Sequence, residues 1–176
     1  MLKASDALVI MIDMQEKLVN ATNAENEVKQ AEKIIKTAEI LNIPVLVSEQ
    51  YPKGLGQTLA ELKNDKQKYI EKTAFSLLKE DDALDMIRLF HKKQIVLFGI
   101  ETHICVYQTA MDLIKKGYEV YLIKDACKSR KEYDYNTGID LMRQNGIKIS
   151  CVEIALFELL ESSKNPHFKE VQQLIK

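Results

Sequence analysis

Two residues far apart in this sequence carry side chains whose types could do chemistry together, a carboxylate and a thiol. Asp13 closes the apolar run "VIMID", and Cys105 closes the loop "GIETHIC" that follows a second apolar run ending at Gly99. A thiolate is a strong nucleophile, whereas a thiol that keeps its proton is a weak one. A charge set directly after six apolar residues is costly unless paired, which favours a functional Asp13 over a turn former or helix N-cap. Cys105 falls in the first turn of a helical pattern, with Thr102 or His103 as N-cap. The stripe Ile104, Tyr107, Met111 and Ile114 leaves its thiol off the core face. Unpaired N–H groups and the helix dipole favour a thiolate there. Most free cysteines are small buried hydrophobes, however, and periodicity leaves both readings open.

Magnitudes show what else such a thiol needs. Lowering a pKa of about 8.5 by about two units takes about 2.7 kcal/mol. A helix N-terminus supplies about 0.3–1 kcal/mol, and up to about 2 when partly buried. A nearby cation, or a base that takes the proton during attack, has to provide the rest. Lysines are abundant, so spacing alone nominates none.

The elements that must position these side chains are legible as alternating runs. Strand-like apolar stretches occur at Ala7–Ile12, Ile43–Ser48, Ile95–Gly99, Tyr118–Ile123 and Ile147–Val152, with a weaker one at Lys68–Ile70. They are continuous, as expected of strands covered on both faces. Helical patterns lie at Glu25–Leu41, Asp82–Lys92, His103–Lys116 and Glu132–Asn145, and short helices at Glu153–Glu161 and Pro166–Ile175 close the chain. Gly117 and Gly146 sit where helix C-caps belong. The alternation predicts a three-layer α/β/α, Rossmann-like fold with a mostly parallel sheet of about six strands, as one domain over residues 1–176. In such a sheet ligands bind beyond the carboxyl ends of the strands, where the winding reverses. If the strands before Asp13 and Cys105 are neighbours, the two side chains converge. The turn-rich stretch "SEQYPKGLGQT", Ser48 to Thr58, lies on the same edge.

Composition narrows the partners. Apolar residues make up 46% and charged residues 29% of the 176, and the net charge is −1. Without a basic stripe, neither nucleic acid nor an anionic membrane is an expected partner. No apolar run approaches the ~20 residues that span a bilayer. The start "MLKASDALVIMID" is too short and too soon charged for a secretory signal. Three cysteines without a C-x-x-C spacing fit a reducing, cytoplasmic setting.

Three separated stretches, "VIMIDMQ", "IEKTAFS" and "GIETHICV", occur in this order on the alternating pattern. Together with "SEQYPKGLG" and the tail "NPHFKEVQQLIK" they make nearly the whole chain resemble the isochorismatase-like cysteine hydrolases, most of all the isochorismatase domain-containing members. The resemblance implies a catalytic triad of Asp13, Lys72 and Cys105. In it the cysteine forms a covalent acyl-enzyme that water resolves, Asp13 takes the thiol proton and returns it to the leaving group, and Lys72 fills the cation vacancy. On residue logic alone Lys72 is a solvated surface lysine. The resemblance also implies a cis peptide bond at Ile100–Glu101, turning the N–H groups of Glu101 and Cys105 toward one point as an oxyanion hole. Nicotinamidases of the superfamily hold a metal through Asp-x-His after the second strand. Here that stretch is Ser48-Glu49-Gln50-Tyr51, and His91, His103 and His167 are scattered, so neither a catalytic metal nor another cofactor is expected.

Placement at strand ends makes Gln15, Gln50, Tyr51 and His103 candidate substrate-binding residues, set against ordinary loop hydrogen bonding in each case. Phe75 is a candidate apolar wall. Cys127 and Cys151 read as inert, and "KSRK", Lys128 to Lys131, as a solvated loop. The function expected is hydrolysis of a small amide or related carbonyl compound. Two rivals are a non-catalytic scaffold that keeps the fold and a redox-responsive thiol protein. Oligomers are common in the family, and the apolar C-terminal helices suit a homo-oligomer.

Overall fold

The computed structural model describes residues 1–176. Six strands, β1 (Ala7–Ile12), β2 (Val45–Gln50), β3 (Lys68–Lys72), β4 (Gln94–Ile100), β5 (Glu119–Lys128) and β6 (Lys148–Ser150), form one sheet. Its order is β3-β2-β1-β4-β5-β6, and every pairing is parallel. The helices are α1 (Glu16–Thr22), α2 (Glu25–Ile40), α3 (Pro52–Leu55), α4 (Ala83–Leu89), α5 (Tyr107–Lys115), α6 (Glu132–Gln144), α7 (Val152–Leu160) and α8 (Phe168–Gln173). They cover both faces of the sheet, α2 packing with α7 and α5 with α6. The central strands are continuous apolar runs for this reason: β1 and β4 are buried at every position.

From β1 the chain winds outward to β2 and β3, then returns to the other side of β1 as β4 and continues to β5 and β6. The β1/β4 boundary is therefore the switch point of the sheet, where two strand-end loops part and leave a crevice. Ile12 pairs with Gly99, so both strands stop at the same height. Gly99 has φ +137°, and a Cβ added there would lie 2.0 Å from the Ile12 carbonyl oxygen. Only a residue without a side chain lets the two backbones come this close at the point where Asp13 and the cysteine loop depart.

Four elements differ from the pattern read in the sequence, one being the single-turn α3 inside the turn-rich Ser48–Thr58 stretch. α1 is additional; with only Val19 and Thr22 buried, seven residues show no usable period. β5 runs on past Ile123, where Lys124 and Asp125 end the apolar run. After a register shift opposite Leu97 and Gly99 it pairs again, Cys127 with Gly99 and Lys128 with Ile100. The helix expected from His103 begins instead as one π-turn, Thr102–Val106, and becomes α-helical at Tyr107.

Candidate active site

Asp13 follows β1 directly and turns the chain out of the sheet with φ +51°. Its carboxylate is fully buried. Ser48 lies beside it because the β1–β2 register pairs Ile12 with Ser48, and the Ser48 hydroxyl donates to Asp13 Oδ1 at 2.6 Å. Lys72 Nζ stands 2.7 Å from Oδ2, with neither side chain exposed. Ser48 carries no signal in the sequence beyond ending an apolar run with a hydroxyl.

Lys72 is the last residue of β3 and is 2% exposed, so the solvated-surface reading is wrong. Its aliphatic stem is enclosed, and the ammonium meets acceptors on every side. Besides Asp13 these are Gln50 Oε1 at 2.6 Å, the Phe75 carbonyl at 3.1 Å and the Ala74 carbonyl at 3.3 Å. A buried ammonium is tolerated only when its donors are all used, and these are.

Cys105 sits within the π-turn and is 7% exposed. Its sulfur lies 4.0 Å from Gln50 Oε1 and feels the charges of both Asp13 and Lys72. The three groups separated by 59 and 33 positions in the chain thus meet at the carboxyl edge of the sheet. The thiol is not acidified, contrary to what a helix N-terminus suggests. Burial first, and then the negative charge of Asp13, push it up to about 12, with Lys72 opposing. Burial likewise raises the Asp13 carboxyl, against the pull of Lys72 and of hydrogen bonds from Lys72, Ser48 and Cys105. Desolvation of two adjacent ionisable groups outweighs one cation and a dipole. At rest the sulfur carries its proton.

The other candidates divide. Gln50 belongs to the constellation. Gln15 is fully buried and spends its amide on backbone: Nε2 donates to the Gln50 carbonyl at 3.0 Å and the Gly56 carbonyl at 2.6 Å, and Oε1 accepts from Gln50 N at 2.8 Å. It clasps the Ser48–Thr58 stretch onto β1, rather than offering groups to a ligand. Glu49 completes the clasp, its Oε1 accepting from Thr58 N and Thr58 Oγ1, both at 2.7 Å. Tyr51 and Phe75 are 55% and 54% exposed, so their rings stand at the protein surface. His103 turns away: Nδ1 meets Ser129 Oγ at 2.9 Å and Nε2 faces Asp134 at 3.9 Å.

The "KSRK" stretch is more than a solvated loop. Ser129 holds His103, Lys128 pairs with Glu27 at 3.1 Å, and Arg130 grips Glu101 through N at 2.9 Å and Nε at 3.1 Å. The Ile100–Glu101 peptide bond is cis. Ser129 and Arg130 thereby fasten both ends of the joint that precedes Cys105. The extension of β5 puts them there, and the apolar run that stops at Ile123 gives no sign of it. Cys127 is 2% exposed and, through burial, also raised to about 12. No three His, Cys, Asp or Glu side chains stand close enough together to hold a metal ion, and no helix is long and apolar enough to cross a membrane.

Comparison with known proteins places this geometry among relatives. Residues 7–154 match the model of the isochorismatase domain. Isochorismatase domain-containing protein 2 of Xenopus laevis is 39% identical over 170 residues, covering 96% of this chain and 83% of the relative. The structure described as MAR1 ribonuclease from Caenorhabditis elegans superposes with a TM-score of 0.94 at 33% identity, over 99% of this chain and 91% of that one. The YcaC gene product of Escherichia coli, described as an octameric hydrolase of unknown specificity, shares the fold with a TM-score of 0.90 at 21% identity, over 99% and 94% of the two chains.

Proposed function

This chain belongs to the isochorismatase family, and from that premise we propose that it is a cysteine hydrolase acting on a small amide or related carbonyl compound. The observation that carries the proposal is the meeting of Asp13, Lys72 and Cys105 at the switch point, with the Asp13–Lys72 pair wholly buried beside the sulfur. A scaffold has no physical need for an ion pair buried against a thiol, since such pairs seldom add net stability.

The thiol is protonated at rest, so Asp13 takes its proton as sulfur bonds to the carbonyl carbon and the carbonyl electron pair moves to oxygen. N–H groups of the Glu101–Cys105 joint receive that developing oxyanion. Asp13, whose raised pKa suits an acid, then passes the proton to the leaving nitrogen as the C–N bond breaks. Water attacks the thioester and gives a proton to Asp13, the S–C bond breaks, and the proton returns to sulfur. Lys72 keeps Asp13 ionised enough to act as base and fixes its orientation. An amine is the poorest leaving group among the candidates, and a carboxylic acid held in reserve is the device it needs. A phosphodiester substrate, suggested by the Caenorhabditis elegans neighbour's description, finds no basic stripe in a chain of net charge −1.

The test is intact-mass detection of adducts against a panel of small amides, ureas and esters, with an RNA oligonucleotide as a further arm. An acyl increment on wild type, absent from Cys105→Ala, is expected. RNA cleavage that survives Cys105→Ala, with no acyl increment from the panel, would sink the proposal.

We also propose that the protein forms a homo-oligomer through α7. That helix is apolar nearly all round, yet Ile154 and Phe157 are 55% and 39% exposed, as if awaiting cover. Light scattering should give a mass above one chain for wild type and a smaller one for Ile154→Glu with Phe157→Glu. A monomeric wild type rules the assembly out.

A further inference from the structure

Gln50 stands where three parts of the site meet, and its role there rests on the cysteine-hydrolase reading. Its Oε1 accepts a hydrogen bond from Lys72 Nζ at 2.6 Å and lies 4.0 Å from Cys105 Sγ, whose S–H can donate to it. Its Nε2 donates to the Thr73 carbonyl at 2.8 Å. The orientation of the amide is thereby settled, since a flip would aim two N–H donors at an ammonium and a carbonyl at a carbonyl. Gln15 holds the Gln50 backbone from both sides, and the β2–β3 register sets Gln50 directly beside Lys72. With every atom of the amide engaged and its backbone clamped, Gln50 is part of the frame rather than a free contact for substrate.

We propose that Gln50 is a positioning residue that holds Lys72 on Asp13 and keeps the resting sulfur protonated, through one side-chain oxygen shared by the ammonium and the thiol. That oxygen is the negative end of the amide dipole. It welcomes S–H and disfavours S⁻. It also draws the Lys72 ammonium to itself at 2.6 Å, the shortest of its contacts, and so holds it off the sulfur. The charged groups acting on the sulfur are Asp13, from the end of β1, and Lys72, from the end of β3. Gln50, reaching in from β2, is neutral and decides how Lys72 divides its protons between them.

Two substitutions at this position have opposite consequences. Gln50→Leu removes the oxygen that favours S–H and loosens the hold on the ammonium, so thiolate is favoured. Gln50→Glu keeps the shape and puts a negative charge beside the sulfur, so thiolate is opposed further. A residue that only packs would give a looser site, and faster labelling, in both variants.

The experiment is the rate of iodoacetamide addition at Cys105 in the full chain near neutral pH, read on the peptide that carries this residue. Gln50→Leu is expected to label about tenfold faster than wild type, the change that about one pKa unit produces. Gln50→Glu is expected to label more slowly than wild type. Acceleration in both variants, or no change in Gln50→Leu, overturns the proposal. Should Gln50→Leu fail to fold, the isosteric Gln50→Glu decides alone: slower labelling upholds the proposal, and equal or faster labelling overturns it. These rates need no substrate. If they behave as expected while no acyl increment ever forms on Cys105, the hydrolase reading falls and the role of Gln50 at the thiol stands. The reverse pattern sinks the role of Gln50 alone.

Discussion

Replacing Lys72 by alanine is expected to cost about 3–5 kcal/mol of folding free energy, a large part of the roughly 5–15 kcal/mol that holds a domain together. The loss does not come from a missing attraction alone. The variant leaves the Asp13 carboxylate fully buried with only the Ser48 hydroxyl to stabilise it, and opens a cavity where the stem lay. Urea denaturation measures the difference. A deficit below about 1 kcal/mol, the size expected of an exposed pair, would show that the ammonium is hydrated in solution. Removing both charges, as Asp13→Asn with Lys72→Met, is expected to recover much of the deficit, because apolar or neutral replacements of a buried pair are often nearly neutral.

The same variant has a pH signature whose sign follows from Asp13. Burial raises its carboxyl above the ordinary value of 3.8 in the folded protein. A group raised on folding adds stability that is complete below its unfolded pKa and is lost as pH rises through its folded pKa. Without Lys72 the two influences that lower it most are gone, and it rises further. The deficit of Lys72→Ala against wild type should therefore narrow as pH falls from neutral into the acid range. A deficit that is flat or widens on acidification contradicts this assignment.

Asp13→Asn is expected to slow acylation of Cys105 by about 10²- to 10⁴-fold, the usual contribution of a positioned acid–base group. With burial and the Asp13 charge pushing the thiol up to about 12, little thiolate is present at neutral pH and the reaction needs a base. The asparagine keeps an oxygen for the Ser48 hydroxyl but cannot take a proton. Stopped-flow or quenched intact-mass kinetics, using whichever panel compound acylates wild type, give the rate. Its pH dependence separates lost chemistry from damaged structure: the variant should speed up with pH as hydroxide replaces the base, and more steeply than wild type. A loss smaller than about tenfold would remove Asp13 from the proton path.

Much of the fold and part of the site are legible in the sequence because burial leaves a mark on composition. The run Ala7–Ile12 is β1 to the residue, and Asp13 stands out because a charge there has no apolar excuse. The placement of the cysteine loop follows from the winding of the sheet. What stays hidden depends on partners that composition does not record. Lys72 looks like any lysine until β3 is set beside β2 and its ammonium is surrounded. Ser48 and Gln50 matter through register, and a hydroxyl or amide at a strand end is otherwise commonplace. Arg130 reaches Glu101 only because β5 slips its register and runs past its apolar segment. The direction of the Cys105 shift reverses the sequence expectation for a physical reason. Helix dipoles can be counted from sequence, whereas the water stripped from a sulfur cannot.

The saturation of Lys72 reaches beyond stability. Its three protons are committed to a carboxylate, an amide and two carbonyls, so it has none to lend, and in the proposed mechanism Asp13 is the sole carrier. One carrier cannot be loaded for a departing amine and empty for an arriving water at the same instant. Under that proposal turnover is expected to run as a ping-pong sequence, in which the first product leaves before the second reactant is admitted.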